Sequence, residues 1–149
     1  MAQFNVVGID GIISEMNRRT EKAVKKIPKM LEAGAAVLVE AQKAEIDTMI
    51  AQGLAREPAH KSETSRSLGE LKKSIKATKV KTDKSGSAYV EVYPHGKDSK
   101  GESNATKGFV LEYGRTNMSG YPWMTSANEK AADAVSAAQR EVWEEDSDG

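Results

Sequence analysis

The strongest pattern in the sequence is a helical repeat of apolar and small residues between Pro28 and about Gln52. Its members are Met30, Leu31, Gly34, Ala35, Leu38, Ala41, Met49 and Ile50. This spacing predicts an amphipathic helix, with Gly53 as its C-terminal stop. The small side chains of residues 33–36 predict the close approach of another helix. That helix is either the chain's own C-terminal helix or one from a second subunit.

Upstream of Pro28, apolar residues keep the helical spacing at Ile12, Ile13, Met16, Val24 and Ile27. Asp10 is suited to cap this first helical segment. We expect a kink or a restart at Pro28, because proline removes one helical hydrogen bond and clashes with the preceding turn. Residues 3–7 are good strand formers and predict a short strand that ends at Gly8.

A second helical stripe occupies the end of the chain, and its members are Trp123, Ala127, Ala131, Ala134, Val135, Ala138 and Val142. Pro122 is suited to the first turn of this helix, where its missing N–H costs nothing. The alanine content predicts close packing against a partner helix, most simply against residues 33–36. Residues 144–149 form an acidic tail.

The middle of the chain predicts a β-hairpin. Residues 76–82 and 88–93 alternate as strands do, and Asp83–Gly86 supplies a turn that contains glycine. Just upstream we expect a helical turn from Leu68 to about Ser74, with its apolar side chains and Ile75 turned inward.

Polar segments at about 54–67 and 95–107 predict long loops that become ordered on assembly. The whole pattern predicts an α+β fold in one domain, residues 1–149. In this fold a long N-terminal helix and a C-terminal helix pack on a small antiparallel sheet that contains the hairpin.

Aromatic residues are scarce, yet several fall in residues 108–127. The apolar run Phe109-Val110-Leu111 leads into Gly114, which is well suited to a turn with φ > 0. Turn-forming residues follow, and Pro122 then opens the C-terminal helix. We therefore expect a loop held by bulky rings to join the small sheet to that helix.

The composition narrows the class of protein. The chain has 149 residues, 22 basic and 22 acidic side chains, and no cysteine. Balanced charge gives no reason to expect nucleic acid or membrane as an obligatory partner. The lack of cysteine excludes disulfides, cysteine zinc sites and thiol nucleophiles. With no signal peptide pattern and no apolar run near about 20 residues, we expect a soluble intracellular protein.

No catalytic, cofactor or metal site is predicted. The two histidines, His60 and His95, lie in predicted loops without a second ligand at metal-binding spacing. Glu112 is the one carboxylate in an apolar context, so it is either a buried acid or a structural acceptor. We favour the structural role and expect it to accept hydrogen bonds from the Gly114 turn or to pair with a lysine.

Two motifs resemble a known family. Residues 110–116, Val-Leu-Glu-Tyr-Gly-Arg-Thr, followed by Tyr121-Pro122-Trp123-Met124 and Ala127, resemble the "vEyGT … PFmrpA" motif of phage tail-completion proteins. Upstream, residues 69–75 resemble that family's "tGxLxxSI" segment. Leu68 stands where the family usually has threonine, and Arg115 separates the glycine from the threonine. The family comprises head–tail joining proteins of long-tailed DNA phages, the gene-ten family of lambdoid phages.

The resemblance implies a non-enzymatic virion protein of a phage or prophage, made in the bacterial cytoplasm and placed at the head–tail junction (the neck). It implies a ring of copies, possibly six, that contacts neighbouring neck and tail proteins. A tail terminator or head-closure protein of the same region is an alternative. We expect the subunit-interface or core anchors to be Glu112, Tyr113, Arg115, Tyr121 and Trp123, since Tyr, Trp and Arg dominate interface energetics.

The uneven distribution of charge along the chain leaves open a second function, contact with DNA. Basic residues outnumber acidic ones between Arg56 and Lys84, whereas the end of the chain is acidic. The basic segment is a surface for non-specific contact with DNA in a channel, a surface complementary to a neighbour's acidic end, or an ordinary solvated face. A small DNA-binding module is therefore the second function to test.

Overall fold

The longest element is helix α1, Ile9–Gln52, which contains Pro28. The structure is a computed structural model, and it describes residues 9–52, 61–116 and 118–145. The helix runs through Pro28, so the predicted restart is wrong. Asp10 lies inside the helix and is not its cap. The strand predicted at residues 3–7 and the stop predicted at Gly53 lie outside the described residues.

In the described part of the chain, nine further elements follow α1. They are α2 (Lys61–Ser74), β1 (Ile75–Ala77), β2 (Lys81–Thr82), β3 (Ala88–Tyr89), β4 (Val92–Pro94), α3 (Asn104–Tyr113), β5 (Gly114–Arg115), β6 (Met118–Ser119) and α4 (Trp123–Glu144). Two long helices and short antiparallel strand pairs confirm the predicted α+β class.

Both segments predicted as polar loops are partly helical. Residues 61–67 belong to α2, and residues 104–107 belong to α3. Residues 53–60 lie outside the described part of the chain. Helix α3 forms in a polar segment because Ser103 caps it, accepting a hydrogen bond from the Thr106 amide at 3.3 Å. Helix α2 forms because its end is anchored in the core, as described next.

The core lies where α1, α2 and α4 meet. Its buried cluster consists of Ile46, Met49, Leu68, Leu71, Ile75 and Trp123. The predicted inward positions Leu68, Leu71 and Ile75 are all confirmed. Burial of an apolar side chain of this size contributes about 1.5–3 kcal/mol. The two leucines therefore offset the weak helix propensity of the serine- and threonine-rich residues before them.

Helices α1 and α4 run antiparallel and pack closely. A Cβ atom added at Gly34 would lie 2.9 Å from Nε2 of Gln139 and 3.1 Å from Cγ1 of Val135. Ala127 and Ala131 of α4 are buried in the same contact. Ala134 is exposed, so its predicted place in the buried stripe is wrong. The helix that approaches residues 33–36 is thus the chain's own C-terminal helix.

The predicted hairpin is present, with a bulge in its middle. β1 pairs with β4 and β2 pairs with β3, both antiparallel. Ala77 faces Val92 and Lys81 faces Tyr89, so residues 78–80 lie opposite residues 90–91. The extra residue is a β-bulge, which increases the local twist of the hairpin. α1 packs against the β1–β4 half, so this pair is the part of the sheet nearest the core.

Candidate functional site

The corner between α3 and α4 is fastened by Glu112, whose side chain is buried. Oε2 accepts a hydrogen bond from the Met124 amide at 2.7 Å. Oε1 accepts one from the Thr125 amide at 3.2 Å and another from the Thr125 hydroxyl. These amides belong to the first turn of α4, where the helix leaves N–H groups unpaired and its dipole favours negative charge. Glu112 therefore caps α4 from another helix.

This arrangement corrects the expected partners of Glu112. The Gly114 N–H donates to the Val110 carbonyl and not to the carboxylate. Among the described residues, the hydrogen-bond partners of Glu112 are Met124 and Thr125, and neither is a lysine. Pro122, the residue before α4, makes no side-chain cap. The Glu112 carboxylate therefore supplies the hydrogen-bond acceptor that the Pro122 side chain cannot offer to the first turn of α4.

The turn between α3 and α4 begins at Gly114, with φ of 80° as predicted. β5 and β6 form a short antiparallel pair, in which Gly114 faces Ser119. The Tyr121 amide then donates to the Leu111 carbonyl at 2.6 Å and brings the chain back to α3. The element before the turn is a helix and not part of the small sheet, so the expected junction of sheet and helix is a junction of two helices.

Two of the predicted anchors lie inside the chain's own fold. Trp123 is fully buried, and its Nε1 donates to the Gly108 carbonyl at 3.1 Å. Tyr121 is half-buried, and its hydroxyl donates to Oε1 of Glu45 at 3.1 Å. These rings hold α3 and α4 against α1.

Glu45 is a buried carboxylate that the sequence analysis did not single out. Its Oε2 accepts a hydrogen bond from Lys130 at 3.0 Å. Burial raises the pKa of Glu45, but hydrogen bonds from Lys130, Tyr121 and Ser126 outweigh burial and leave that pKa below its ordinary value. Burial and the neighbouring Glu45 raise the pKa of Tyr121. Glu45, Tyr121 and Lys130 therefore form a charged hydrogen-bonded cluster that links α1 to α4. We call this cluster the charged tie.

The other two predicted anchors, Tyr113 and Arg115, face outward. The Tyr113 side chain is 77% exposed. It stacks on Phe109, one helical turn earlier, with ring centroids 6.3 Å apart, and Phe109 is itself 52% exposed. Arg115 is exposed next to them on β5. We call Phe109, Tyr113 and Arg115 the aromatic corner.

Phe109 entered the sequence analysis only as part of an apolar run. Phe109 and Tyr113 are four residues apart, and side chains with this spacing are neighbours on a helix. Their contact could have been predicted only if residues 104–113 had been predicted to be helical.

The hairpin carries exposed lysines. Lys76, Lys79 and Lys84 are exposed, and Lys81 pairs with Glu91 at 3.3 Å. Lys72, at the end of α2, pairs with Asp47 of α1 at 2.8 Å. The hairpin part of the basic segment, residues 76–84, is thus a solvated surface, partly neutralised by carboxylates.

One of the two histidines, His95, lies in the described part of the chain. His95 stacks on Tyr93 with ring centroids 4.0 Å apart, and its Nε2 lies 3.0 Å from the Lys76 carbonyl. His60 lies outside the described residues. Within residues 9–52, 61–116 and 118–145, no group of three or more His, Cys, Asp and Glu is placed to hold a metal ion. None of the described helices combines the length and apolar character needed to cross a bilayer.

Comparison with known proteins agrees with the motif at residues 69–75 and with the start of the second motif, residues 110–115. A family described as "Bacteriophage HK97-gp10, putative tail-component" matches residues 10–115. No curated protein and no solved structure matches the chain. The matched range runs from the start of α1 to the aromatic corner and ends before α4. Since it covers more than half of the chain, the resemblance to phage tail proteins is confirmed, and the protein belongs to the HK97-gp10-like family of bacteriophage tail components.

Proposed function

We propose that the protein is a non-enzymatic component of a phage or prophage virion that completes the tail at the head–tail junction. In this role it assembles into a ring, possibly of six copies, and contacts neighbouring neck and tail proteins. It is made in the bacterial cytoplasm and ends in the virion. Membership of a family of tail components supports an assembly role.

The observation that carries the proposal is the aromatic corner. Large exposed apolar side chains that stack on each other are typical of protein contact surfaces, and Tyr and Arg are enriched where binding energy concentrates. The buried Glu112 side chain, next to Tyr113 in the chain, ties the end of α3 to the start of α4. The exposed side chains of the aromatic corner are therefore carried by a backbone that is held in place. A rigid support lowers the entropic cost of binding a neighbour.

The test uses a phage or prophage that encodes this chain. Arg115→Ala and Tyr113→Ala should each leave a folded protein but reduce the yield of joined, infectious particles by at least about tenfold, the effect of about 1.4 kcal/mol of lost binding. The matched control is Arg140→Ala, which removes an exposed arginine from α4. Electron microscopy of lysates counts free heads, free tails and complete particles.

Normal numbers of complete particles from both corner variants would refute the interface role. Complete particles after deletion of the whole gene would refute the head–tail function itself. Accumulation of abnormally long tails would favour a tail terminator, and heads that lose their DNA would favour a head-closure protein.

The hairpin lysines support a second candidate, non-specific contact with DNA in the channel. Contacts with phosphates weaken steeply as salt rises, because binding releases counterions. Lys76→Glu with Lys79→Glu should then weaken binding to duplex DNA and reduce its salt dependence. Binding that is absent at low salt, or unchanged by these substitutions, would exclude the DNA contact.

A further inference from the structure

Helix α4 ends with an exposed tryptophan among exposed carboxylates. We call Glu141, Trp143, Glu144 and Glu145 the acidic end. Trp143 is 46% exposed, and the three glutamates are exposed without an ion-pair partner among the described residues. The last carbonyls of a helix also carry partial negative charge. The acidic end therefore combines an aromatic surface with negative charge.

The lysines of α1 leave most of this charge uncompensated. Lys26 alone reaches the acidic end, where its Nζ donates to the Trp143 carbonyl at 2.7 Å and lies 5.1 Å from the Trp143 ring centroid. Counted back from Gly34, which faces α4, Lys22, Lys25 and Lys29 lie about 120–180° around α1 at 3.6 residues per turn. Residues 140–148 themselves carry five acidic side chains and one basic side chain.

The aromatic corner has the opposite charge. Phe109 and Tyr113 expose their stacked rings, and Arg115 has no carboxylate partner among the described residues. The carboxylate of Glu112 is buried and occupied by the amides of α4. The corner therefore offers two rings beside one unpaired cation.

The two surfaces lie at opposite ends of one helix. Glu112, next to the corner, caps the first turn of α4, and the acidic end occupies its last turn. The 22 residues of α4 span about 33 Å at 1.5 Å per residue. The corner and the acidic end of one copy therefore cannot meet.

Charge selects the pairing between copies. Two corners in contact would bring two arginines together, and two acidic ends would bring six glutamates together; like charges at an interface are costly. A corner against an acidic end brings opposite charges together and lets aromatic rings pack on each other. DNA and anionic lipid would meet a single cation at the corner and would be repelled by the acidic end.

We propose that the acidic end of one copy docks on the aromatic corner of a second copy. Trp143 packs on Phe109 and Tyr113, and the glutamates lie beside Arg115. This inference rests on the ring proposed above and names the surfaces that build it. The two surfaces differ, so the contact is head-to-tail, and it closes into a ring when the rotation between copies permits.

Charge reversal tests the contact in the purified protein. Arg115→Glu makes the corner acidic, and Glu144→Arg with Glu145→Arg makes the acidic end basic. Each variant alone should self-associate at least about tenfold more weakly than the wild type in light scattering. An equal mixture should regain self-association, because each corner then meets an oppositely charged end. Lys79→Glu and Asp133→Arg reverse exposed charges elsewhere and should behave as the wild type.

Site-specific crosslinking gives a second test, because the natural chain has no cysteine. The double variant Thr116→Cys with Glu145→Cys is treated with a short bismaleimide and run on a denaturing gel. A head-to-tail contact gives a ladder of covalent dimers, trimers and larger species. The matched control is Thr116→Cys with Asp133→Cys, because Asp133 is exposed but lies about 18 Å from Glu145 along α4. It should give no ladder, and circular dichroism checks that all variants remain helical.

Several results would overturn the inference. They are a wild-type chain that stays monomeric at hundreds of micromolar, a mixture of the charge-reversed variants that stays monomeric, or equal ladders from the two crosslinking pairs. Failure here, with particle completion still dependent on the gene, leaves the head–tail function standing. Regained assembly in the mixture, together with normal particles after gene deletion, refutes only that function.

Discussion

Replacing Glu112 tests how the α3–α4 corner is held. Its two carboxylate oxygens accept three hydrogen bonds from Met124 and Thr125. In Glu112→Gln, one oxygen is replaced by an NH₂ group, which cannot accept. If that group faces Met124, the Met124 amide loses its acceptor. If it faces Thr125, it can donate to the Thr125 hydroxyl, but the Thr125 amide loses its acceptor. Either orientation leaves one helix N–H unpaired.

The magnitude follows from these losses. One buried donor without an acceptor costs about 1–3 kcal/mol. Loss of the negative charge at the start of α4 costs about 0.3–2 kcal/mol. We therefore expect Glu112→Gln to lower the free energy of unfolding by about 2 kcal/mol, equivalent to a Tm about 4–8 °C lower. Glu112→Ala leaves both amides and the hydroxyl without this acceptor, and we expect about 4 kcal/mol.

Urea unfolding followed by circular dichroism measures these values. The matched control is Glu40→Gln, because the Glu40 side chain is 78% exposed and its ion pair with Lys43 spans 3.8 Å. Exposed pairs contribute about 0–1 kcal/mol, so the control should stay close to the wild type. If Glu112→Gln were as stable as Glu40→Gln, the carboxylate would not be what caps α4, and our account of the rigid corner would fail.

Three other predictions concern the helix contacts. Gly34→Val should destabilise the protein by about 1–3 kcal/mol in thermal unfolding, because a side chain there would force α1 and α4 apart. Gly69→Val, where an added Cβ meets nothing within 4 Å, is its control and should cost less. Trp123→Phe removes the hydrogen bond to Gly108 and should cost about 2 kcal/mol in urea unfolding; no loss would show that this bond is unimportant. The pKa of Glu45 lies below its ordinary 4.5, so its contribution is present above pH 4.5 and is lost as the pH falls further. Glu45→Gln should remove this part of the acid sensitivity, and an unchanged pH profile would contradict the charged tie.

The long helices could be predicted because their signals are local. Regular spacing of apolar residues identified α1 and α4, and the small residues at 33–36 identified where they meet. The hairpin was predicted from alternation and from the Asp83–Gly86 turn. The bulge was not, because it depends on which residues pair across the two strands and not on either strand alone.

Helices α2 and α3 were partly mistaken for loops because their polar residues have weak helix propensity. What stabilises them is tertiary: Leu68 and Leu71 enter the core, and Ser103 caps α3. The partners of Glu112 lie 12 and 13 residues downstream, across a turn, so spacing alone could not identify them. The apolar stripe of the C-terminal helix indicated that Trp123 is a core residue, and it is fully buried. Tyr113 was named as an anchor with no such local signal, and it faces solvent.

Helix α1 bends more easily at Pro28 than elsewhere along its length. Proline has no N–H, so the Val24 carbonyl receives no helical hydrogen bond from it, and bending at this point costs less than elsewhere in the helix. The last turn of α4 contacts α1 beside this point, where Nζ of Lys26 donates to the Trp143 carbonyl at 2.7 Å. A subunit can therefore change the angle of its N-terminal segment at the cost of this exposed contact, while the close packing at Gly34 is kept. The same chain could in this way fit neighbours whose spacing or tilt differs along an assembling particle.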